Sequence, residues 1–400
     1  MAPASSAAAA AVAASSLDHL LRPLHWGAVL RHPSVADSSP ILFRLRTLII
    51  ASITTSFVFS ELLVLYHQGT EDLDLFILIL GIADTIAMWV FRMAHITLHE
   101  SDFHKLALQV SQDFADFVTW EDVPVMRRRC RTVRRISLTY MCFGLSNCAY
   151  FLSLPSSPDG LPYVLVLPFD ATKPASHTIA WLYCMIVTVH TVIMTIAINS
   201  FNISVITQLC IQLTQLNKKI VNLNKDMPEE PGQSGKKPAQ RDLYCRLKQC
   251  ILQHQAIIKN VDLLQSCLGV VLLGQSLSVG TAACFEMFQI ATSADGLQQI
   301  GKFGTHLFTI LAELFIYCWF GDELITESEN LALAAYDAAT SLQDSPVSIK
   351  RSLVLLMQRA QRPLCITAGG FFPLSRESFV AVLNVSYSFV AILRNFKNED

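Results

Sequence analysis

Long runs of apolar residues recur along the chain, separated by stretches that hold most of its charged residues. A helix needs about 20 predominantly apolar residues to cross a bilayer. Seven runs meet that requirement, and the fourth and fifth exceed it. The predicted spans are Thr47–Tyr66, Leu73–Phe91, Ile136–Leu154, His177–Ile206, Leu263–Ala291, Gly301–Phe320 and Pro373–Phe396. The pattern therefore predicts an all-α integral membrane protein with seven transmembrane helices.

Basic residues alternate between the two sides of these predicted spans. Of the 30 Lys and Arg residues, 26 precede the first span or lie in the second, fourth and sixth connectors. Since cytoplasmic loops carry the excess of Lys and Arg, the asymmetry predicts a cytoplasmic N-terminus and an extracellular C-terminus. A G-protein-coupled receptor has the opposite orientation. The net charge of −2 gives no indication of a nucleic-acid partner.

The segments before and between the spans differ in composition. The cytoplasmic N-terminal segment, 1–46, begins with an Ala/Ser tail, 1–16, whose composition predicts disorder. Spans 1–4 occupy 47–206 and form one bundle, and 207–262 is predicted to extend into the cytoplasm as helices. A polar stretch rich in Pro and Gly, 226–240, interrupts those extensions and is predicted to be disordered.

Both cytoplasmic extensions carry apolar stripes at helical spacing, which must be buried against each other or against a neighbouring subunit. The stripes are Leu213, Leu216, Ile220 and Leu223 in one extension, and Leu247, Ile251, Ile258 and Val261 in the other. Spans 5 and 6 occupy 263–320, and the cytoplasmic segment 321–372 contains a short predicted anchor helix, 347–362. Span 7 occupies 373–396.

The sequence gives little indication of a metal site. The eleven cysteines have no paired framework and no zinc-type spacing. His95 and His99 have the i, i+4 spacing of a zinc site on a helix, and His104 follows. Inverted seven-span zinc hydrolases take further ligands from the last span, but no histidine follows His306. We therefore predict no catalytic residue, no metal and no cofactor.

Five ionisable residues lie inside the predicted spans, where an unpaired charge is costly. They are Glu61, Asp84, His190, Glu286 and Glu313. Each can be explained by pairing with a polar group on a neighbouring helix. Alternatively, one or two of them belong to a ligand cavity or a gating linkage.

The C-terminal stretch resembles a known family. Thr367, Gly369, Phe371 and Leu374-Ser375 are followed by Phe379 and by Val382-Leu-Asn-Val-Ser-Tyr-Ser388. This pattern is similar to the closing signature of insect odorant receptors, whose inverted seven-span topology and length of about 400 residues agree with the whole chain. The sister group of gustatory receptors usually has Thr-Tyr followed by Gln-Phe in this helix, which this chain lacks.

The resemblance implies a ligand-gated, non-selective cation channel in the plasma membrane of an olfactory sensory neuron. Four subunits would surround a pore lined by the last span, with the cytoplasmic extensions as an anchor. A co-receptor subunit would complete the heterotetramer, and this chain would be the tuned subunit. Its other partners would be a small volatile odorant, permeating cations and membrane lipid, and no nucleic acid.

The family's ligand lies in the outer half of the bundle among spans two, three, four and six. Span direction selects residues at that depth, and an apolar cavity with few polar groups suits a volatile molecule. The expected ligand-binding residues are Phe76, Leu80, Asn147, Tyr150, Phe151, Trp181, Met185, Thr188, Phe303 and His306.

One face of the last span carries small and weakly polar side chains at a four-residue step. The row is Ser378, Val382, Ser386 and Val390. We expect it to line the pore, with Val390 as a hydrophobic gate, since apolar constrictions close pores by dewetting. The same side chains could instead serve close helix packing. An inverted seven-span zinc hydrolase and a transporter stay open as alternative functions.

Overall fold

The computed structural model describes residues 19–32, 39–68, 73–117, 123–157, 159–223, 236–292, 297–343 and 345–399. After a short helix at residues 19–26, nine helices account for most of this part of the chain. They are α1 (Pro40–Gln68), α2 (Leu73–Leu98), α3 (Glu100–Phe117), α4 (Val123–Ser153), α5 (Pro174–Val221), α6 (Lys236–Thr292), α7 (Leu297–Ser341), α8 (Val347–Ala360) and α9 (Arg376–Glu399).

Each predicted span falls within one of seven of these helices, apart from Leu154 at the end of span 3 and the first residues of span 7. Six helices in the described ranges are long and apolar enough to cross a membrane. The seventh, α4, falls short of that measure: six arginines occupy its first half, and its second half mixes apolar residues with polar ones such as Ser146 and Asn147. The seven-span architecture predicted from the sequence is confirmed. The predicted tail, 1–16, lies outside the described residues.

The long helices extend past their predicted spans at one end of the bundle, which we call the extension end. The opposite end, covered by residues 155–173, is the connector end. Both predicted apolar stripes lie in one continuous core at the extension end. Gln253 of α6 donates to the Gln212 carbonyl of α5, and Asn260 of α6 donates to Asp113 of α3. The two extensions therefore pack on each other and on α3 within one chain.

Three elements differ from the sequence prediction. Residues 236–240, predicted to be disordered, already belong to α6, whereas 226–235 lie outside the described residues. The helix α7 continues through residues 321–341, because alanines at helical spacing form a buried stripe there. Pro373, the predicted first residue of span 7, instead pairs with Thr367 in a two-stranded hairpin, β1 (Thr367–Ala368) and β2 (Phe372–Pro373).

The hairpin explains part of the C-terminal signature. Gly369 and Gly370 adopt φ values of 59° and 83°, a left-handed conformation that glycine enters without strain. Thr367 is held by two hydrogen bonds with the side-chain amide of Gln265 on α6. The backbone of Leu374 lies so close to Gly321 of α7 that a β-carbon there would stand 2.5 Å from the Leu374 carbonyl oxygen. The signature thus fixes the start of α9 against α6 and α7.

His254 gives the extension end a pH dependence. It is 3% exposed, and burial, with a smaller contribution from the charge of Arg359, lowers its pKa to about 4. The folded state favours the neutral imidazole, so its contribution to stability is complete above pH 6.5 and is lost as the pH falls toward 4. We expect the melting temperature to fall from pH 7.5 to pH 5, and less so in His254→Gln. His67→Gln, at an exposed histidine, should melt like the wild type.

Candidate functional site

A cavity of about 120 Å³ lies between α2, α4, α5 and α7, toward the connector end. Its walls are mainly apolar, with residues such as Ile82, Ile86, Val192, Ile196 and Ile310. Hydroxyl, amide and imidazole groups interrupt that surface. Such a cavity binds a small molecule by shape and dispersion and orients it through a few polar contacts.

The connector between α4 and α5 contributes a wall of this cavity. Tyr163 is 4% exposed, its hydroxyl lies 2.9 Å from the Thr188 hydroxyl, and its ring stacks on Phe151 at 5.3 Å between centroids. The Ser60 hydroxyl of α1 donates to the Val166 carbonyl at 2.7 Å, which fixes the connector on the bundle. The proline-rich connector is therefore an ordered part of the site and not a loose cover.

Two polar atoms at the cavity have no hydrogen-bond partner within the described part of the chain. The Asn147 amide donates to Thr309, but its carbonyl oxygen is unpartnered, and so is the hydroxyl of Thr191. Both residues are at least nine-tenths buried and line the cavity. Leaving a buried polar atom unsatisfied costs about 1–3 kcal/mol. A polar ligand that bonded to these atoms would remove that cost.

A buried ion pair forms the floor of the cavity. Glu313, which lines it, lies 3.1 Å from the guanidinium of Arg92 on α2. Arg92 also donates to Asn199 of α5 and to Gln275 of α6, and the amide of Asn199 donates to Glu313 at 2.7 Å. Tyr317 of α7 donates to Asn199 as well. Four helices therefore meet through one connected polar network.

A second ion pair stands at the connector end of the cavity. His306, part of the lining, lies 2.7 Å from the carboxylate of Glu286 on α6. Lys302, one turn before His306, donates to the Leu154 carbonyl and to Ser156, and its ammonium sits 4.0 Å above the ring of Phe151. These contacts fix α7 against α4 and α6 beside the cavity.

Four of the ten expected ligand-binding residues meet at this cavity: Asn147, Phe151, Thr188 and His306. Trp181 packs in a small cluster under the connector, and Met185 packs against the core around Phe57. The other four also lie off the lining: Phe76 and Leu80 are half-buried on α2, Tyr150 donates to the Gln298 carbonyl, and Phe303 lines a polar opening with Asp74 and Lys302.

Several lining residues escaped the sequence analysis. Tyr163 lies in a connector with no helical periodicity, so only its aromatic character among prolines could have indicated burial. Thr85, Thr191 and Thr309 are small residues of the kind that allow close helix packing, and spacing alone does not separate that role from a cavity wall. Tyr140 follows the arginine-rich half of α4 in sequence. Its position therefore suggested the membrane surface and not the depth of the cavity.

The predicted pore row on α9 is largely covered within one subunit. Ser386 is 2% exposed and donates to the Gly280 carbonyl of α6 at 2.9 Å, and Val390 is 7% exposed. Val382 lies against Gly280, and Ser378 donates to the Pro373 carbonyl. The row therefore faces α6. The uncovered face of α9 carries Ala381, Val385, Ser388 and Ile392.

A wider cleft of about 560 Å³ separates α6 from α9. Leu277, Phe285, Val385 and Phe389 line it, and its surface is almost wholly apolar. Val385 and Phe389 are each 56% exposed in the single chain. The cleft therefore continues into the uncovered face of α9, where lipid or another subunit would cover it.

The remaining ionisable residues of the spans, Asp84, His190 and Glu61, differ in how they are paired. Asp84 accepts hydrogen bonds from Ser278 and Thr281, and an imidazole nitrogen of His190 lies 3.1 Å from the Gly27 carbonyl. Glu61 is 1% exposed, and its Oε2 has no partner among the described residues. Pairing with a neighbouring helix thus accounts for Asp84, Glu286 and Glu313, whereas His190 pairs with the turn that follows the helix at residues 19–26.

Comparison with known proteins gives consistent matches. The family model described as 7tm Odorant receptor matches residues 73–387. Odorant receptor Or2 of Anopheles gambiae is 27% identical over 316 residues, covering 77% of this chain and 81% of that protein. Odorant receptor 10 of Aedes albopictus is 28% identical, covering 68% of this chain and 71% of that protein.

A solved structure matches over nearly the whole length. The insect olfactory receptor OR5 from Machilis hrabei, in complex with eugenol, superposes with a TM-score of 0.81. The match covers 96% of this chain and 97% of that one, at 12% sequence identity. At that identity the likeness establishes the fold and leaves the ligand of this chain open.

Proposed function

Because this chain belongs to the odorant receptor family and is a membrane receptor rather than an enzyme, we propose that it is the tuned subunit of an odorant-gated, non-selective cation channel. The proposal places it in the plasma membrane of an olfactory sensory neuron, with its N-terminus in the cytoplasm. A shared co-receptor supplies the other subunits of a heterotetramer. We propose this function in preference to an inverted seven-span zinc hydrolase or a transporter.

The observation that carries the proposal is the cavity between α2, α4, α5 and α7. Its apolar walls suit a volatile molecule, and Asn147 and Thr191 offer an acceptor and a hydroxyl that have no partner among the described residues. A ligand hydroxyl could donate to the Asn147 carbonyl and accept from Thr191. We therefore expect small alcohols or phenols among the agonists, in preference to hydrocarbons of the same shape.

The surface of α9 supports assembly with other subunits. Val380, Val385, Phe389 and Ile392 are each about half exposed in the single chain, and Tyr387 is 70% exposed. Packing α9 beside neighbouring subunits around a shared axis would cover part of this surface and leave one narrow face for conduction. The hairpin before α9 holds the helix against α6 and α7, so a change in those helices is passed to the pore.

The face of α9 that lines the pore is open to a direct test. The sequence predicts that the row containing Val390 lines the pore. In the single subunit that row is largely buried, whereas Val385, Ser388 and Ile392 are exposed, which favours their row as the pore lining. We expect Ser388→Cys to lose current when a charged thiol reagent is applied to the conducting channel, because its side chain is uncovered. Val390→Cys, at a side chain that is 7% exposed in the single chain, should be protected. Block at Val390→Cys with protection at Ser388→Cys would instead support the row containing Val390.

Co-expression tests the proposed function as a whole. We expect cells that express this chain with an insect co-receptor to carry an odorant-evoked cation current in response to a panel of alcohols and phenols. Cells with the co-receptor alone should not respond to the same panel, and cells with this chain alone should carry no current. An evoked current from this chain without any co-receptor would contradict the heteromeric assignment.

A further inference from the structure

A cavity of about 480 Å³ lies toward the extension end, on a different face of α4 and α5 from the odorant cavity: Met141 and Ile193 line it, whereas the adjacent Tyr140 and Val192 line the odorant cavity. The helix at residues 19–26 forms one wall, the first half of α4 a second, and α5 between Ile193 and Thr207 the third. Its volume is within the usual range for a small-molecule site, about 300–1,000 Å³. Neither the odorant nor the conduction pathway uses it.

Three arginines line the rim of this cavity. Arg127, Arg131 and Arg134 are spaced by four and three residues, so they share one face of α4. All three are exposed, and in the described ranges none has a carboxylate within ion-pair distance. Their neighbour Arg129, by contrast, pairs with Glu323 of α7 at 2.6 Å. Among the described residues, the rim is thus a cluster of cations without compensating anions.

A buried hydroxyl lies on the opposite wall. Thr207 of α5 is 4% exposed, lines the cavity, and has no hydrogen-bond partner for its hydroxyl among the described residues. A buried hydroxyl in a helix usually donates to the carbonyl one turn earlier, as Ser200 does to Ile196. The Thr207 hydroxyl is therefore available to a polar group that enters the cavity.

Below the rim the cavity becomes apolar. Leu138 and Met141 line it one and two turns beyond Arg134 on α4, and Ile193 lines it from α5, within the predicted third and fourth spans. From Arg127 to Met141 the helix rises about 21 Å. The cavity therefore joins a cationic surface at the membrane interface to a hydrocarbon surface within the bilayer.

We propose that this cavity binds one anionic phospholipid from the leaflet at the extension end. The phosphate contacts Arg127, Arg131 and Arg134, whose planar guanidinium groups suit phosphate oxygens. An ester or headgroup oxygen accepts from Thr207, and an acyl chain lies against Leu138 and Met141. The lipid joins residues 19–26 to α4 and α5 and so stabilises the N-terminal segment on the bundle.

The test measures lipid binding to the purified full-length receptor by native mass spectrometry. An anionic phospholipid is titrated into the wild type and into two double variants. Arg127→Gln/Arg134→Gln removes two arginines that line the cavity. The control, Arg128→Gln/Arg135→Gln, removes two arginines of the same helix that do not line it. We expect the dissociation constant to rise about 25-fold in the first variant, since each of the two arginines contributes about a factor of five. The second variant should bind like the wild type.

Equal weakening in both double variants would show attraction by surface charge alone and would overturn the proposal. Equally tight binding of the water-soluble headgroup of the same phospholipid would overturn it as well, because the acyl chain would then contribute nothing. Met141→Trp keeps every arginine and fills the apolar part of the cavity. It should release the phospholipid while its own melting temperature in neutral lipid stays that of the wild type, and retention of the lipid would contradict the assigned acyl position.

Discussion

Arg92→Met is expected to lower the free energy of unfolding by about 3–5 kcal/mol, the usual cost of leaving one member of a buried ion pair without its partner. Arg92 and Glu313 are 4% and 7% exposed, and the alternative environment for the unpaired carboxylate is hydrocarbon. Thermal unfolding of the purified receptor measures the loss. Arg129→Met breaks the half-exposed pair with Glu323 and should cost at most about 1 kcal/mol. Equal losses in the two variants would contradict the burial argument.

The double variant Arg92→Met/Glu313→Met separates stability from signalling. Replacing both charges with apolar groups of similar size often restores or improves stability. Glu313 lines the odorant cavity, and Arg92 joins it to Gln275 of α6, the helix on which α9 packs. We expect the double variant to fold but to give a reduced maximal odorant-evoked current. A maximal odorant-evoked current equal to that of the wild type would show that the network has only a structural role.

Thr191→Phe is expected to raise the odorant concentration for half-maximal response by about 100-fold or more, equivalent to losing roughly 2.7 kcal/mol of binding. Thr191 faces a cavity of only about 120 Å³, so a phenyl ring there occupies the space of the ligand. Overpacking also destabilises the receptor, by about 1–3 kcal/mol. Surface expression is therefore measured beside the dose-response curve.

Thr178→Phe provides the matched control for this substitution. It makes the same change on the same helix, at an exposed position outside the cavity. Its dose-response curve should overlay that of the wild type. If Thr191→Phe reached the surface and kept normal sensitivity, the odorant would have to bind elsewhere, and the α6–α9 cleft would be the next candidate.

Hydropathy located the spans because a bilayer imposes a minimum apolar length on each of them. It located the extension helices less completely, since residues 321–341 combine alanine with acidic residues and bury only a narrow stripe. The hairpin before α9 depends on Gly369 meeting Gly269 through a backbone hydrogen bond, a contact across 100 positions that no local pattern encodes.

The candidate site was only partly predictable for a related reason. Span direction gives the depth of a residue but not its rotation about the helix axis, so Phe151 and His306 were found while Tyr150 and Phe303 point elsewhere. Arg92 was counted among the basic residues of a cytoplasmic connector. The structure buries it beside Glu313, because a buried carboxylate on another helix outweighs the pull of the aqueous interface.

A structure of the receptor with its co-receptor and an activating odorant tests the central claim most directly. The account predicts odorant density between α2, α4, α5 and α7, within van der Waals distance of Phe151 and hydrogen-bonded to Asn147 or Thr191. Density in the cleft between α6 and α9, with the cavity beneath Tyr163 unchanged, would contradict it.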